Sequence, residues 1–173
     1  RRALLVDQQV RGFILMLTVT SLLFTAWYWF NHDEGLLDSL RIVTFSVVSV
    51  VTTTGYAVND YTQWGGFAVM AFFYLTFVGG CSGSTAGGLK VFRFQVAYAL
   101  LRANFKQLVH PRAVIRQQYN RHNLDEEIVR SILTFSFFFT MTIGVLALCL
   151  AFLGLDPITA LTGAASAVCN LGP

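Results

Sequence analysis

Two long stretches without a charged residue constrain the fold of this chain more than any other feature. Residues 13–30 and 131–153 contain no Asp, Glu, Lys or Arg, although these types make up 12% of the 173 residues. A helix over the first stretch would span about 27 Å, enough to cross the hydrocarbon core of a bilayer. With 55% hydrophobic residues, the chain is also far more apolar than an average soluble domain. We therefore predict an all-α integral membrane protein with crossings at 13–30 and 131–153.

The distribution of charge orients these crossings. Arginines at positions 1, 2 and 11 precede the first crossing, whereas acidic residues at 33, 34 and 38 follow it. Basic residues mark the cytoplasmic side of a membrane protein, so the first crossing should run outward. A second basic region is formed by Lys90, Arg93, Arg102, Lys106, Arg112, Arg116, Arg121 and Arg130. Residues 111–127 are therefore predicted to be a short cytoplasmic connection, and the last crossing should again run outward.

Residues 36–51 are predicted to form a helix that enters the membrane without crossing it. Arg41 makes a complete lipid-exposed crossing unfavourable. A re-entrant pore helix would instead point the negative end of its dipole at residues 52–56, a favourable field for a cation. The alternative is an amphipathic helix lying on the outer surface.

The segment after this helix has the composition of an ion-selectivity filter. It consists of Thr52, Thr53, Thr54, Gly55 and Tyr56. Backbone carbonyls and threonine hydroxyls can replace the water around a cation, and glycine permits the backbone geometry that this requires. We expect Tyr56 to brace the segment from behind. The alternative, a helix stop at Gly55, explains the glycine but leaves three consecutive threonines without a reason.

A third apolar region, 66–110, is interrupted by ten small residues. These are Gly79, Gly80, Cys81, Ser82, Gly83, Ser84, Thr85, Ala86, Gly87 and Gly88. Such a stretch is a poor helix former and is tolerated at membrane depth only where it is buried or wet. We predict a broken crossing with a flexible intramembrane gating loop. The alternative is a small-residue packing face built on the glycines at 79, 83 and 87. A phosphate-binding loop is excluded, because Leu89 stands where the lysine would be required.

The chain also contains an internal repeat. An offset of 117 positions aligns residues 45–56 with 162–173, and Ser49, Val51 and Gly55 then match Ser166, Val168 and Gly172. Asp156 and Pro157 are suited to start a second pore helix, predicted over 157–168. A second filter segment over 169–173 contains Cys169, Asn170, Leu171 and Gly172. We predict one complete unit at 1–110 and the first half of another at 128–173, with potassium held at Thr53, Thr54, Asn170 and Leu171.

Catalytic chemistry has little to use in this sequence. The three histidines lie on polar segments, and the acidic residues are confined to loop regions. Cys81, Cys149 and Cys169 have no metal-ligand spacing and are predicted to be reduced thiols. We predict no enzymatic activity, no organic cofactor and no nucleic-acid partner.

Four motifs resemble a known family. They are S-V-V-T-T-T-G-Y at 49–56, G-G-C-S-G-S-T-A-G-G-L-K at 79–90, L-V-H-P-R-A-V at 108–114 and N-L-G-P at 170–173. Together they are similar to the Trk/Ktr/HKT superfamily of potassium transporters, and within it to bacterial TrkH-type membrane subunits. The second filter departs from the threonine pattern, so carbonyls rather than hydroxyls should serve there.

The resemblance implies four repeated helix, pore helix and helix units around one pseudo-fourfold pore. This chain would then supply the third unit and the first half of the fourth, and the polypeptide beyond Pro173 should add a further crossing. The resemblance further implies gating by residues 79–88, a homodimer in the bacterial cytoplasmic membrane, and regulation by a cytosolic nucleotide-binding ring of TrkA type. Two alternatives remain at this point: a membrane scaffold without transport, and a sodium/potassium transporter of the same fold.

Overall fold

The structure, a computed structural model, describes residues 7–32, 34–110, 118–119, 122–123 and 126–171. Within these ranges the chain is mostly helical. The helices are α1 Gln8–Asn31, α2 Leu36–Val51, a 3-10 helix Tyr61–Trp64, α3 Gly66–Thr76, α4 Val91–Val109, α5 Glu126–Phe152 and α6 Pro157–Cys169. Two-residue strands are β1 Val78–Gly79, β2 Leu89–Lys90, β3 Gln118–Tyr119 and β4 His122–Asn123. The prediction of an all-α chain is therefore corrected by two short strand pairs.

Two of the helices, α1 and α5, are long and apolar enough to cross a membrane. Both begin five residues before the charge-free stretch that predicted them. The difference arises because polar residues continue a helix beyond its apolar run. Asp7 caps α1 by accepting a hydrogen bond from the Gln9 backbone N–H at 2.9 Å, and Glu126 and Glu127 form the first turn of α5, where negative charge is favourable.

The helix α2 covers the range predicted for the first pore helix. Its buried face carries Val43, Val47 and Val51, whereas Arg41 on the same helix is exposed. The valines pack with α1, the 3-10 helix and α3 in one apolar cluster, whose buried members include Tyr28, Trp64 and Phe72. Tyr28 and Trp64 place their ring centroids 4.7 Å apart. This cluster fixes the direction in which the end of α2 points.

The region 66–110 is broken where the small-residue stretch predicts. Helix α3 has 11 residues, which amounts to about 16 Å, too short for a crossing. The chain then makes a closed loop whose two ends pair in parallel, Val78 with Leu89 and Gly79 with Lys90. Helix α4 resumes directly afterwards and ends at Val109.

The second half-unit is formed by α5 and α6. The Asp156 side chain accepts a hydrogen bond from the Thr159 N–H at 3.1 Å, and Pro157 occupies the first helical position, as the sequence predicts. A second apolar cluster joins Phe139 and Ile143 of α5 to Ala164, Ala165 and Cys169 of α6. Within the predicted connection, Arg112, Arg116 and Arg121 lie outside the described residues.

Candidate functional site

The helix α2 ends in a left-handed turn at Thr53, not at the glycine. The Thr53 N–H donates to the Val50 carbonyl at 3.1 Å, and the Thr54 N–H donates to the Ser49 carbonyl at 2.9 Å. These two bonds form a Schellman motif, in which the left-handed residue is usually glycine. Here it is Thr53, with φ of 53°. The helix-stop reading of Gly55 is therefore wrong, because α2 ends at Val51 and its left-handed turn lies at Thr53, two residues before the glycine.

The helix α6 ends in the same way. The Asn170 N–H donates to the Ala167 carbonyl at 3.2 Å, and the Leu171 N–H donates to the Ser166 carbonyl at 3.1 Å. Asn170 has φ of 54°, a conformation that asparagine tolerates better than most residues. Every residue of this turn lies 117 positions after its counterpart at the end of α2. The two predicted filter segments therefore begin with the same backbone geometry.

Helix α6 ends one residue later than the predicted pore helix 157–168. Cys169, which the sequence predicts to lie in the second filter segment, is the last residue of α6 and is fully buried. Its side chain belongs to the apolar cluster between α5 and α6. Asn170 is exposed and Leu171 is buried in the first cluster, whereas Gly172 lies outside the described residues.

Ser49 holds the far end of residues 52–56, the first predicted filter segment. Its hydroxyl donates to the Tyr56 carbonyl at 2.6 Å, and the side chain is only 4% exposed. The Tyr56 ring, by contrast, is 72% exposed, so the predicted bracing by that ring is corrected to bracing by Ser49. The sequence analysis did not predict this role of Ser49. The alignment of Ser49 with Ser166 in the repeat could have indicated it.

The three threonines have different hydrogen bonds. The Thr52 hydroxyl donates to the Val48 carbonyl at 2.6 Å, and the Thr52 and Thr54 hydroxyl oxygens lie 2.7 Å apart. Because each hydroxyl has a single proton, Thr54 must donate to Thr52, and the lone pairs of Thr54 then remain available to a cation. Thr53 differs from both, since its hydroxyl accepts a hydrogen bond from the Gly87 N–H at 3.2 Å.

Residues 79–88 form a folded loop that is closed at its neck. The Leu89 N–H donates to the Phe77 carbonyl at 2.8 Å, and the Val91 N–H donates to the Gly80 carbonyl at 3.2 Å. These bonds close the neck of the loop. The Lys90 ammonium reaches back into the loop, donating to the Ser84 carbonyl at 2.9 Å, to the Ser84 hydroxyl at 3.3 Å and to the Ala86 carbonyl.

The glycines of the loop permit close backbone contacts and left-handed turns. A side chain at Gly79 would overlap the Gly87 carbonyl oxygen, and one at Gly87 would overlap the Cys169 carbonyl oxygen. Gly83 and Gly88 have φ of 84° and 71°. The alternative of a helix-packing face is therefore wrong, because residues 79–88 contain no helix. Gly87 lies instead between Thr53 and the end of α6.

The loop and the start of α4 also approach α5. The Arg93 guanidinium lies over the Phe135 ring, 3.7 Å from its centroid. Ser82, Lys90 and Glu127 line one pocket between the loop, α4 and α5. The loop is thus held between both units of the chain.

Comparison with known proteins agrees with this arrangement. A family model described as TrkH, cation transport protein, matches residues 2–173. The chain is 55% identical over its full length to the Trk system potassium uptake protein TrkI of Halomonas elongata, of which it spans 35%. It is 30% identical over 168 residues to the Trk system potassium uptake protein TrkH of Escherichia coli, covering 96% of this chain and 35% of that protein.

The fold has also been seen in a crystal structure. The potassium transporter TrkH of Vibrio parahaemolyticus superposes with a TM-score of 0.92 and 29% identity, covering 98% of this chain and 36% of that one. The chain therefore spans about a third of the length of the relatives it matches. By the family model and by these likenesses, the chain belongs to the TrkH family of cation transport proteins.

Proposed function

We propose that this chain forms part of the pore of a bacterial potassium uptake protein, with filter segments at residues 52–56 and 170–172. The observation that carries the proposal is that two helices end in the same left-handed turn, at Thr53 and Asn170. Gly87 of the loop contacts both helix ends. The C-terminal end of a helix is the negative end of its dipole, and a ring of carbonyls is the usual ligand set for potassium. The relatives are named as potassium uptake proteins.

Potassium is the transported substrate in this proposal. The carbonyls of Thr53, Thr54, Asn170 and Leu171 are the proposed ligands, and the Thr54 hydroxyl can add an oxygen. The Ser49 hydroxyl holds the Tyr56 carbonyl at the far end of the first segment. No organic cofactor and no catalytic step are required.

The loop 79–88 is the proposed gate. It is closed at its neck by the strand pair and stabilised by Lys90, and its Gly87 contacts the beginning of the filter. A segment in this position would obstruct an ion that leaves the filter towards the cytoplasm. A scaffold without transport would have no use for such a contact.

The remaining walls of the pore must come from other segments, because two units do not enclose an ion. We propose that the full-length protein supplies them, that it is a multi-pass protein of the bacterial cytoplasmic membrane in contact with lipid, and that it acts as a homodimer with a cytosolic TrkA-type ring. The apolar side chains that α1 and α5 expose fit such surroundings: Leu15, Leu23, Phe30, Leu148 and Phe152.

Replacing Gly55 tests the filter. Gly55 has φ of 76°, a conformation that a side chain disfavours. In the full-length protein, Gly55→Ser should lower potassium uptake and reduce discrimination against sodium, measured as uptake of both ions by cells that lack other potassium transporters.

Gly66→Ala is the matched control. A side chain at this helical glycine would meet no atom within 4 Å, so uptake should not change. If Gly55→Ser reaches the membrane in normal amount and leaves rate and selectivity unchanged, residues 52–56 are not the filter.

A further inference from the structure

Thr53 has a backbone conformation that its side chain disfavours. Its φ is 53°, and a β-branched residue in the left-handed region is an outlier that persists only when surrounding structure holds it there. The equivalent residue of the second unit is Asn170, for which the same conformation is far less costly. The first filter segment therefore needs a stabilising contact that the second one does not.

The loop supplies that contact. The Gly87 N–H donates to the Thr53 hydroxyl across a separation of 34 residues. The hydroxyls of Thr52 and Thr54 are bonded to each other, and Thr52 also to its own helix. Of the three threonines, Thr53 is thus the one whose hydroxyl bonds to the loop.

Gly87 is well suited to this position because it lacks a side chain. A Cβ atom there would overlap the carbonyl oxygen of Cys169, at the end of the second predicted pore helix. When the loop is docked, a single residue thus contacts the starts of both filter segments. Withdrawal of the loop removes both contacts at once.

We propose that docking of the loop on Thr53 holds the first filter segment in its left-handed form, so that the loop sets ion selectivity as well as obstructing the path. Thr53 is then a specificity-determining positioning residue. Its turn relaxes when the loop withdraws, and the carbonyls of Thr53 and Thr54 change direction. This inference rests on the proposed function, because it assumes that residues 52–56 form the filter.

Three substitutions at Thr53 separate hydrogen bonding from backbone strain. Thr53→Val keeps the shape and the β-branch but removes the hydroxyl. Thr53→Ser keeps the hydroxyl. Thr53→Gly removes the hydroxyl and also the strain, because glycine adopts a positive φ freely.

Two measurements are made on each full-length variant. The first is the ratio of potassium to sodium uptake. The second is the rate at which a charged maleimide modifies Cys81, retained as the single cysteine of purified protein in lipid nanodiscs. Cys81 is a half-buried loop residue, so its modification reports undocking of the loop whether or not ions move.

Thr53→Val should speed Cys81 modification by roughly two- to tenfold, the range for loss of one neutral hydrogen bond. It should also lower the potassium-to-sodium ratio by roughly threefold or more, because the turn is no longer held. Thr53→Ser should keep both wild-type values. Thr53→Gly should speed Cys81 modification but stay closer to wild-type selectivity. As a matched control, Thr140→Val removes a hydroxyl that donates to the Ser136 carbonyl within α5 and should change neither value.

The proposal is overturned if Thr53→Val changes one of the two values without the other, or neither. It is also overturned if Thr53→Gly loses as much selectivity as Thr53→Val. Should Thr53→Val fail to reach the membrane, the serine and glycine variants still test it: equal Cys81 rates in these two would contradict docking through the hydroxyl. The proposed function itself fails if the wild-type protein moves no potassium. That result can be told apart from failure of loop docking, because the rates of Cys81 modification remain measurable.

Discussion

At the scale of single residues, the three threonines of the proposed filter make different hydrogen bonds. Thr52 ties the segment to α2, Thr54 keeps its lone pairs available, and Thr53 meets the loop. Sequence reasoning recognised the threonines as a group, because hydroxyls and a glycine suggest oxygen ligands. It could not distinguish them, since the partners of Thr53 and Tyr56 are chosen by the fold.

Ser49→Ala should weaken the filter without unfolding α2. The substitution leaves the Tyr56 carbonyl without its 2.6 Å hydrogen bond, at a cost of about 0.5–1.5 kcal/mol, the net contribution of one neutral hydrogen bond. Potassium selectivity should therefore fall, measured as the ratio of potassium to sodium uptake by the full-length protein.

Ser46→Ala provides the comparison for this variant. Ser46 is buried on the same helix, but its hydroxyl donates to the Ile42 carbonyl of its own helix at 2.9 Å. Its selectivity should stay at the wild-type value. Equal selectivity of the two variants would show that Ser49 does not brace the filter.

At the scale of elements, the two helix ends and the loop form one unit. The offset of 117 residues predicted by the repeat also relates the hydrogen bonds of the two helix ends. The bonds that involve Ser49 and Thr53 recur at Ser166 and Asn170. The loop is more ordered than its composition suggests. Glycine-rich sequence indicates where a helix must break, but not that the two ends of the break will pair with each other.

Gly87→Ala should keep the loop from docking. The added methyl group would overlap the Cys169 carbonyl oxygen. Because that atom belongs to the backbone at the end of α6, the loop has to shift away from it. We expect faster potassium uptake by the full-length protein, measured as the initial rate under potassium limitation.

Gly144→Ala controls for the added methyl group. Gly144 lies within α5, and a side chain there would meet no atom within 4 Å, so uptake should be unchanged. Wild-type or slower uptake by Gly87→Ala, in protein of normal abundance, would argue against the loop as an obstruction.

Lys90→Met should loosen the loop while keeping its neck. The variant removes the ammonium that bonds to the Ser84 carbonyl, the Ser84 hydroxyl and the Ala86 carbonyl. Charge-assisted hydrogen bonds each contribute about 1.5–3 kcal/mol, so limited proteolysis or thiol modification of the loop should become at least several-fold faster. Lys106→Met changes an exposed lysine of α4 and should have no effect. A loop equally protected in both variants would contradict this role of Lys90.

At the scale of the whole molecule, one side of the proposed filter at residues 52–56 is not covered by the described part of this chain. A groove of about 850 Å³ runs along α1 and α2, and Thr54 and Tyr56 contribute to its lining together with Leu17, Leu40 and Val48. The chain matches about a third of each relative. The apolar lining suits further helices of the same polypeptide.

The 173-residue chain expressed alone should therefore not take up potassium. Its filter segments would face lipid on the open side, so an ion would lose its water without gaining a full set of oxygens. Potassium-limited growth of a strain that lacks potassium uptake measures this, with the full-length protein as the comparison. Both proteins should be found in the membrane fraction in similar amounts. Growth supported by the chain alone would mean that two units suffice for a pore.

The long helices and the position of the break could be predicted from the amino-acid pattern, because apolar runs, caps and glycine clusters act locally. Asp156 and Pro157 start α6 wherever that helix packs, and residues 79–88 cannot continue a helix in any surroundings. Tertiary structure alone decided which groups meet. Thr53 contacts Gly87, and the Ser49 hydroxyl bonds to the Tyr56 carbonyl at the end of residues 52–56. Such contacts depend on how the clusters around Val47 and Ala165 orient α2 and α6.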